Sequence, residues 1–129
     1  MKIARTIMFI AAPLLITACG SNIEWFPSTE DTVAPTVTAT IDGKSFSNNT
    51  TLHISNLTSS VIFTANETTT VYYTTDNTQP TTSSTAVSIT SSTGVTGPLI
   101  SVTNTILRFF GKDSAGNVST EVKGTIVSP

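Results

Sequence analysis

The segment TILRFFGKDSAGN, residues 105–117, begins with the most apolar of the strand-like runs in the sequence. Apolar and polar side chains alternate along it, and a period of two is typical of a β-strand with one buried face. We expect Leu107 and Phe109 to face the core together with Gly111, and Arg108 and Lys112 to face water. The run therefore predicts a strand with one apolar and one polar side.

The strand is followed by DSAGN, which has the composition of a tight corner. The carboxylate of Asp113 can accept hydrogen bonds from nearby backbone N–H groups. Either Gly116 or Asn117 can supply the positive φ that such a corner needs. We therefore predict that these three residues shape the backbone.

A second turn is predicted within VYYTTDNTQPT, residues 71–81. The side chains of Asp76 and Asn77 can both bond nearby backbone groups, and Asn tolerates the left-handed conformation. Pro80 has no backbone N–H and so keeps the loop from pairing as a strand. The same structural role is therefore expected for Asp76 and Asn77.

Short alternating segments separated by polar stretches run through the sequence after Pro35, and none has a helical period. Strands are predicted at 36–41, 61–65, 70–75, 86–89, 98–102, 105–112 and 119–127, with a short one around Leu52 and Ile54. About seven short strands within a domain of residues 34–129 predict an all-β fold, an immunoglobulin-like antiparallel β-sandwich.

Three segments are together similar to the immunoglobulin- or fibronectin-III-like repeat named for the C-terminal domain of chitobiase and β-hexosaminidase. They are VYYTTDNTQPT, VTGPL and TILRFFGKDSAGN, and the earlier DTVAPTVTAT looks like the first strand of such modules in bacterial surface proteins. The likeness covers residues 31–127. It implies the sandwich fold and an accessory role without catalysis, because the module is appended to many unrelated proteins.

Residues 1–18 are predicted to form a secretory signal peptide. Lys2 and Arg5 precede an apolar run at residues 7–16. That run is shorter than the roughly 20 apolar residues that a transmembrane helix needs. A short apolar stretch between positive charge and small residues is typical of a secretion signal.

The run ITAC, residues 16–19, resembles the lipobox of bacterial lipoproteins. The resemblance implies a diacylglycerol on the Cys19 thiol, cleavage between Ala18 and Cys19, and a membrane anchor of acyl chains such as palmitate. Gly20 favours the outer membrane if the organism has two membranes. The alternatives for this single cysteine are burial as a small apolar residue or an intermolecular disulfide.

Residues 19–33 are predicted to be a flexible tether between the lipid and the domain, because the stretch 21–35 contains Pro27, Pro35 and three acidic residues without any period. Two interpretations of Trp25 and Phe26 remain open. Interfacial aromatic side chains lie among lipid headgroups, and the same two rings could instead pack against the base of the domain.

The charge of the chain is low, with a net charge of −2 and six Lys and Arg residues scattered along the sequence. No run of basic residues is present that would neutralise phosphates, so nucleic acid is not an expected partner. No cofactor-binding motif is found either, and no cofactor is predicted.

The sequence offers no convincing catalytic arrangement. The sole histidine, His53, has no metal-ligating residues at suitable spacing. A nucleophile elbow is missing, and Glu67 and Glu121 would need a cleft between them to act as a glycosidase pair. We therefore predict that the protein is not an enzyme and holds no metal.

Calcium is the one ion left open. Asp76, Asp113 and Asn117 could offer oxygen ligands, of which Ca²⁺ takes six to eight. Turn formation accounts for the same three residues, so the sequence does not decide between the two roles.

Carbohydrate binding is the alternative to a purely structural role. An aromatic platform could be formed by the outward-facing member of Tyr72 and Tyr73 together with Phe46 and Phe110. These side chains could equally belong to the core or rim of a small sandwich. The platform is therefore a hypothesis about a low-affinity ligand site.

The combined prediction is a non-enzymatic, lipid-anchored protein of the cell envelope. Its immunoglobulin-like domain is expected to serve a structural or adhesive interaction, with carbohydrate binding as the alternative. The expected partners are the membrane, through Cys19, and another envelope protein or a glycan.

Overall fold

A computed structural model describes residues 29–56, 58–90 and 93–129 of the protein. The predicted signal peptide, the residues Ala18 and Cys19, and the pair Trp25 and Phe26 lie outside the described residues. Residues 29–33, at the end of the predicted tether, are exposed and belong to no strand. Within the described segments, no helix is long and apolar enough to span a bilayer.

Nine β-strands are formed by the described residues. They are β1 (Val37–Ile41), β2 (Lys44–Phe46), β3 (Thr51–His53), β4 (Ser59–Ala65), β5 (Thr69–Thr74), β6 (Thr85–Ile89), β7 (Val95–Ile100), β8 (Thr105–Asp113) and β9 (Val122–Val127). Buried and half-buried side chains alternate strictly along β8. The alternation that the sequence shows in this segment therefore matches the two sides of the strand.

The strands form two sheets, one with the order β2-β1-β4-β7 and one with the order β3-β9-β8-β5-β6. Every pair is antiparallel except β3 and β9, which run parallel. The predicted all-β sandwich is confirmed. It has nine strands where the sequence predicted about seven.

Two differences in the strands have clear physical reasons. The three residues of β2 are too few to show a period in the sequence, and the strand forms because Asp42 and Gly43 make a tight turn, with φ of 52° and 71°. Strand β7 begins at Val95, before the predicted position 98, and includes Pro98. A proline is tolerated there because β7 is an edge strand of its sheet.

The core lies between the two sheets and consists of the inward side chains of both. Phe63 of β4 and Phe109 of β8 are 0% and 1% exposed, and their rings meet edge to face with centroids 5.0 Å apart. Buried aliphatic side chains surround them: Ile41, Val61, Val71, Ile89, Ile100, Leu107 and Ile126. In the part of the chain that the structure describes, every buried polar side-chain atom has a hydrogen-bond partner.

The incoming chain is fastened to the domain before β1 begins. The backbone N–H of Thr36 donates to Oδ1 of Asn66 over 2.7 Å, and Nδ2 of Asn117 donates to the carbonyl of Asp31 over 2.9 Å. Strand β1 then lies between β2 and β4 and pairs with both. The start of the domain is therefore bonded to two separate loops and two strands.

Candidate functional site

The solvent-facing side of the five-stranded sheet, which we call the outer face, carries two accessible aromatic side chains and three basic ones. Cross-strand partners share a face of a sheet, so the register assigns its members. They include Thr70, Tyr72 and Thr74 of β5, Ala86 and Ser88 of β6, Ile106, Arg108, Phe110 and Lys112 of β8, Lys123 and Thr125 of β9, and Thr51 of β3.

An aromatic pair lies at the centre of the outer face. Tyr72 and Phe110 are directly opposite each other in the register of β5 and β8. Their rings are stacked, with centroids 5.3 Å apart and planes inclined by 25°. Both side chains are half-buried, so the pair presents apolar ring surface to the solvent.

The aromatic platform that the sequence suggested, one of the two tyrosines together with Phe46 and Phe110, is not assembled in full. Phe46 is 5% exposed, because its register opposite Ala39 places it on the inward side of β2, and its ring packs 6.3 Å from that of Phe109. Tyr73 follows Tyr72 on the strand and therefore points inward, where its ring packs 5.7 Å from that of Phe63. The platform hypothesis is wrong for Phe46 and reduces to Tyr72 and Phe110.

Basic side chains lie on both sides of the aromatic pair. One register row places Lys112 beside Thr70, and the row on the other side places Arg108 beside Lys123. These are three of the four basic residues within the described segments, the fourth being Lys44 on the other sheet. Residues that are scattered in the sequence are therefore gathered on one surface.

The guanidinium of Arg108 is held in place within the protein. Its Nε donates to Oε1 of Glu121 over 2.6 Å, and its Nη1 donates to the carbonyl of Asn77 over 3.0 Å. The two side chains of the ion pair are only 18% and 27% exposed. Arg108 thus links the β8 strand to the turn after β5, and its charge is largely balanced by Glu121.

The turn after β5 is built by the residues that the sequence singled out. Asn77 has a φ of 68°, and the carboxylate of Asp76 accepts hydrogen bonds from the hydroxyl and the backbone N–H of Thr78. These two hydrogen bonds lower the pKa of Asp76. The turn is therefore shaped by its own side chains.

The corner after β8 is organised around Asp113. Its Oδ1 accepts hydrogen bonds from the backbone N–H of Gly116 and of Asn117, over 2.7 and 2.8 Å, and its Oδ2 accepts one from Nδ2 of Asn117. Gly116 has a φ of 101°. Burial raises the pKa of Asp113, but the hydrogen bonds from Asn117 and Gly116 outweigh it, and the pKa lies below its ordinary value.

We expect this corner to lose its stabilising effect in acid. Because the pKa of Asp113 is below its ordinary value of 3.8 in the folded chain, the carboxylate stabilises the fold above that pH, and less as pH falls through the folded pKa. The Asp113→Asn variant should unfold at lower urea concentration than the wild type near neutral pH. The difference between the two should shrink as the pH falls below 3.8 and through the lowered pKa of the folded chain.

Urea unfolding followed by circular dichroism at a series of pH values measures this difference. Ser114→Ala, an exposed neighbour in the same corner, is the matched control and should follow the wild type throughout. A gap between Asp113→Asn and the wild type that is constant from neutral pH to strong acid would contradict the expectation.

The three residues considered for calcium do not meet at one point, because Asn117 lies beside Asp113 whereas Asp76 lies apart from both. In the register, Asp113 lies opposite Thr69 at the start of β5, whereas Asp76 follows the other end of that strand. Six strand residues separate these ends, a distance of nearly 20 Å at about 3.3 Å per residue. Ca²⁺–oxygen bonds are about 2.3–2.6 Å long, so Asp76 and Asp113 cannot share one ion.

A different group of carboxylates forms near the corner. Asp31, Glu67 and Asp113 each place one oxygen so that all three lie within 4.8 Å of one another. Both oxygens of Asp113 already accept hydrogen bonds within the corner. The prediction that the protein holds no metal stays a prediction.

The remaining candidates for catalysis lie apart. His53 is exposed on the edge strand β3, where its carbonyl accepts a hydrogen bond from Nζ of Lys44 over 2.8 Å. Glu121 is ion-paired with Arg108 on the outer face, and Glu67 lies in the carboxylate group beside the corner.

Sequence reasoning missed the grouping of the basic residues on the outer face. Arg108, Phe110 and Lys112 occupy alternate positions on one strand, which is the signal that could have found it.

The fold defines the class of the protein as an immunoglobulin-like β-sandwich. The sequence model of the family described as the chitobiase/beta-hexosaminidase C-terminal domain matches residues 53–124, more than half of the 129 residues. The chain therefore belongs to this family, and the predicted resemblance is confirmed for the domain. Nothing among the curated proteins or the solved structures matches the chain.

The domain that gives the family its name is a non-catalytic accessory domain. The part of the chain that the structure describes contains this sandwich and no catalytic domain. Family membership therefore says what kind of module this is, whereas its ligand has to be inferred from its surface.

Proposed function

We propose that the protein is a non-enzymatic, lipid-anchored protein of the cell envelope that presents its β-sandwich for a structural or adhesive interaction. The anchoring rests on the lipobox-like run at residues 16–19 and on the signal-like segment before it. In a bacterium with two membranes, Gly20 favours the outer one. The adhesive role rests on the outer face.

The observation that carries the adhesive role is the Tyr72–Phe110 stack on an open sheet face. Large aromatic side chains and arginine are enriched among the residues that dominate binding energy at interfaces. Here two stacked rings and the ion-paired Arg108 lie in adjacent rows. Both rings are half-buried, so within the described chain part of their surface is open to a partner.

A crosslinking experiment on intact cells tests this proposal. Cells producing the full chain are treated with a membrane-impermeant crosslinker, and the complexes are recovered and compared between variants. We expect the double substitution Tyr72→Thr with Phe110→Thr to reduce the recovered complex by about tenfold or more. Thr64→Ala, on the solvent-facing side of the four-stranded sheet, is the control and should recover as much complex as the wild type.

The same cells, fed with labelled fatty acid, test the anchor. The wild-type chain should carry the label, and Cys19→Ser should lose it, because only the thiol at that position can be acylated in this way. Unlabelled wild-type protein would reject the lipid anchor. Equal crosslinking by wild type and the double variant would reject the adhesive face.

Carbohydrate binding is the second candidate, and the flatness of the ring pair favours it. The C–H faces of a pyranose ring are apolar and can cover aromatic surface in the way that two aromatic rings cover each other. Stacked Tyr72 and Phe110, with planes only 25° apart, offer such a surface. Hydroxyl side chains in the neighbouring row, on Thr70 and Ser88, could bond the sugar hydroxyls.

A further inference from the structure

We propose that the outer face binds an acidic polysaccharide, one whose pyranose rings carry carboxylates. This inference rests on the carbohydrate-binding form of the proposed function and adds the charge of the ligand. It follows from the arrangement of ammonium groups, aromatic rings and hydroxyl groups on the outer face.

The charge of the outer face is opposite to that of the whole chain. The chain has a net charge of −2, yet the outer face carries Arg108, Lys112 and Lys123. Glu121 balances Arg108. Within the described residues, no ion pair engages the ammonium groups of Lys112 and Lys123. A surface with two unbalanced cations on an acidic protein is complementary to an anion.

The spacing of these groups suits a carboxylate that is attached to a sugar ring. Lys112 is two residues from Phe110 on β8, which is roughly 6.5 Å along the strand. The flexible four-carbon stem of a lysine can cover part of that distance. A pyranose ring stacked on the aromatic pair would therefore place its carboxylate within reach of the Lys112 ammonium.

A groove beside the aromatic pair supplies hydroxyl groups. It has a volume of about 230 Å³ and is lined by Thr68, Thr69, Thr70, Ser88, Thr90, Lys112, Asp113 and Ser114. Hydroxyl side chains both donate and accept hydrogen bonds, as the hydroxyls of a sugar do. The carboxylate of Asp113 is the one anionic group in this lining, and its charge is partly balanced by the hydrogen bonds from Gly116 and Asn117.

A second concavity is less suited to an acidic ligand. It has a volume of about 370 Å³ and is lined by Tyr73, Thr74, Thr75, Asp76, Ser83, Ser84 and Thr85. The only charged group in this lining is the carboxylate of Asp76, which would repel another carboxylate. An acidic polysaccharide should therefore bind to the outer face and not to this concavity.

Single-stranded nucleic acid combines rings and anions as well, but the outer face fits it less well. In duplex DNA each strand carries one phosphate about every 3.4 Å, and affinity for nucleic acid depends largely on how many phosphates the protein neutralises. The outer face has only two cations without an ion-pair partner. Widely spaced carboxylates on sugar rings match that number better.

Titration calorimetry with the full chain in a neutral detergent tests the proposal. The probe is an oligogalacturonate, and its fully methyl-esterified form is the matched neutral ligand with the same sugar backbone. We expect the acidic form to bind roughly tenfold or more tightly than the ester, and its affinity to fall as salt is raised.

Variants then assign the binding to the outer face. Lys112→Gln should weaken binding of the oligogalacturonate by roughly fivefold, the effect of one partly exposed ion pair, and Lys112→Arg should preserve it. Lys44→Gln, on the other sheet, should bind like the wild type. Tyr72→Thr should weaken both the acid and the ester, and circular dichroism verifies that each variant is folded.

Each contrary result has its own meaning. Equal binding of acid and ester, or an unchanged affinity of Lys112→Gln, would overturn the acidic ligand while carbohydrate binding stands. Tighter binding of an oligothymidylate than of the oligogalacturonate would overturn it in favour of nucleic acid. If neither sugar binds while the crosslinked complex persists, the inference fails and the adhesive function remains.

Discussion

The Phe63→Ala variant is expected to unfold with a free energy about 3–5 kcal/mol lower than that of the wild type. The Phe63 ring is 0% exposed and lies between two others, with centroids 5.0 Å from Phe109 and 5.7 Å from Tyr73. Removal of the ring leaves a cavity between the two sheets, and the paired strands cannot move together to fill it. Single domains are stable by only about 5–15 kcal/mol, so this loss is a large share of the total.

Chemical denaturation followed by far-ultraviolet circular dichroism measures this change. Ile62→Ala is the matched control, because Ile62 directly precedes Phe63 on β4 and points to the solvent-facing side. We expect it to cost only about 1 kcal/mol. A Phe63→Ala variant as stable as Ile62→Ala would show that the ring does not hold the sheets together.

The second large effect is expected at Gly124, where Gly124→Ala should destabilise the domain by about 2–3 kcal/mol. A Cβ at this position would lie 2.8 Å from the carbonyl oxygen of Thr50 and 2.7 Å from Cζ of Phe46. The carbonyl belongs to the backbone and accepts a hydrogen bond from the N–H of Thr125 over 2.9 Å. This carbonyl cannot move without weakening the pairing of β3 with β9.

Two measurements check this prediction. Urea unfolding gives the loss of stability, with Lys123→Ala as the control, since that side chain is exposed on the same strand and should change stability by no more than about 0.5 kcal/mol. Hydrogen exchange reports the Thr125 amide, which should exchange faster in Gly124→Ala. An unchanged exchange rate together with unchanged stability would contradict the close approach.

The main features of the fold could be predicted from local patterns. Alternation along TILRFFGKD is strong enough to assign the inward side of β8, with Leu107 and Phe109 both buried. The acidic side chains of the turns also bond to neighbours only a few residues away. Asp76 accepts from Thr78, and Asp113 accepts from Asn117. Such features depend on the local chain, and the sequence displays them directly.

Features that depend on distant pairing could not be predicted in the same way. Phe46 follows only two other residues in its strand, and its inward position is decided by its pairing with Ala39 on β1. The parallel contact of β3 with β9 joins positions more than 70 residues apart, such as Thr51 and Thr125. No period within a short window carries that information.

The candidate site also combines features that the local sequence shows with features that depend on the pairing of distant strands. The sequence identified Tyr72 and Phe110 as aromatic candidates, but which tyrosine faces outward depends on the register between β5 and β8. The cationic character of the outer face depends on β8 and β9 lying side by side, which places Lys123 next to Arg108. The charge of a surface is a property of the assembled sheet, and residues scattered along the chain can still produce it.

The fastening of β1 has a mechanical consequence. Under the proposed anchoring, a ligand held on the outer face would pull the domain away from the membrane, and the load would enter through the chain before Thr36. This pull runs lengthwise along β1, whose five residues pair with β4 on one side and whose last three pair with β2 on the other. The hydrogen bonds of both ladders would share the force in shear, so the strand would resist detachment far better than one peeled off bond by bond.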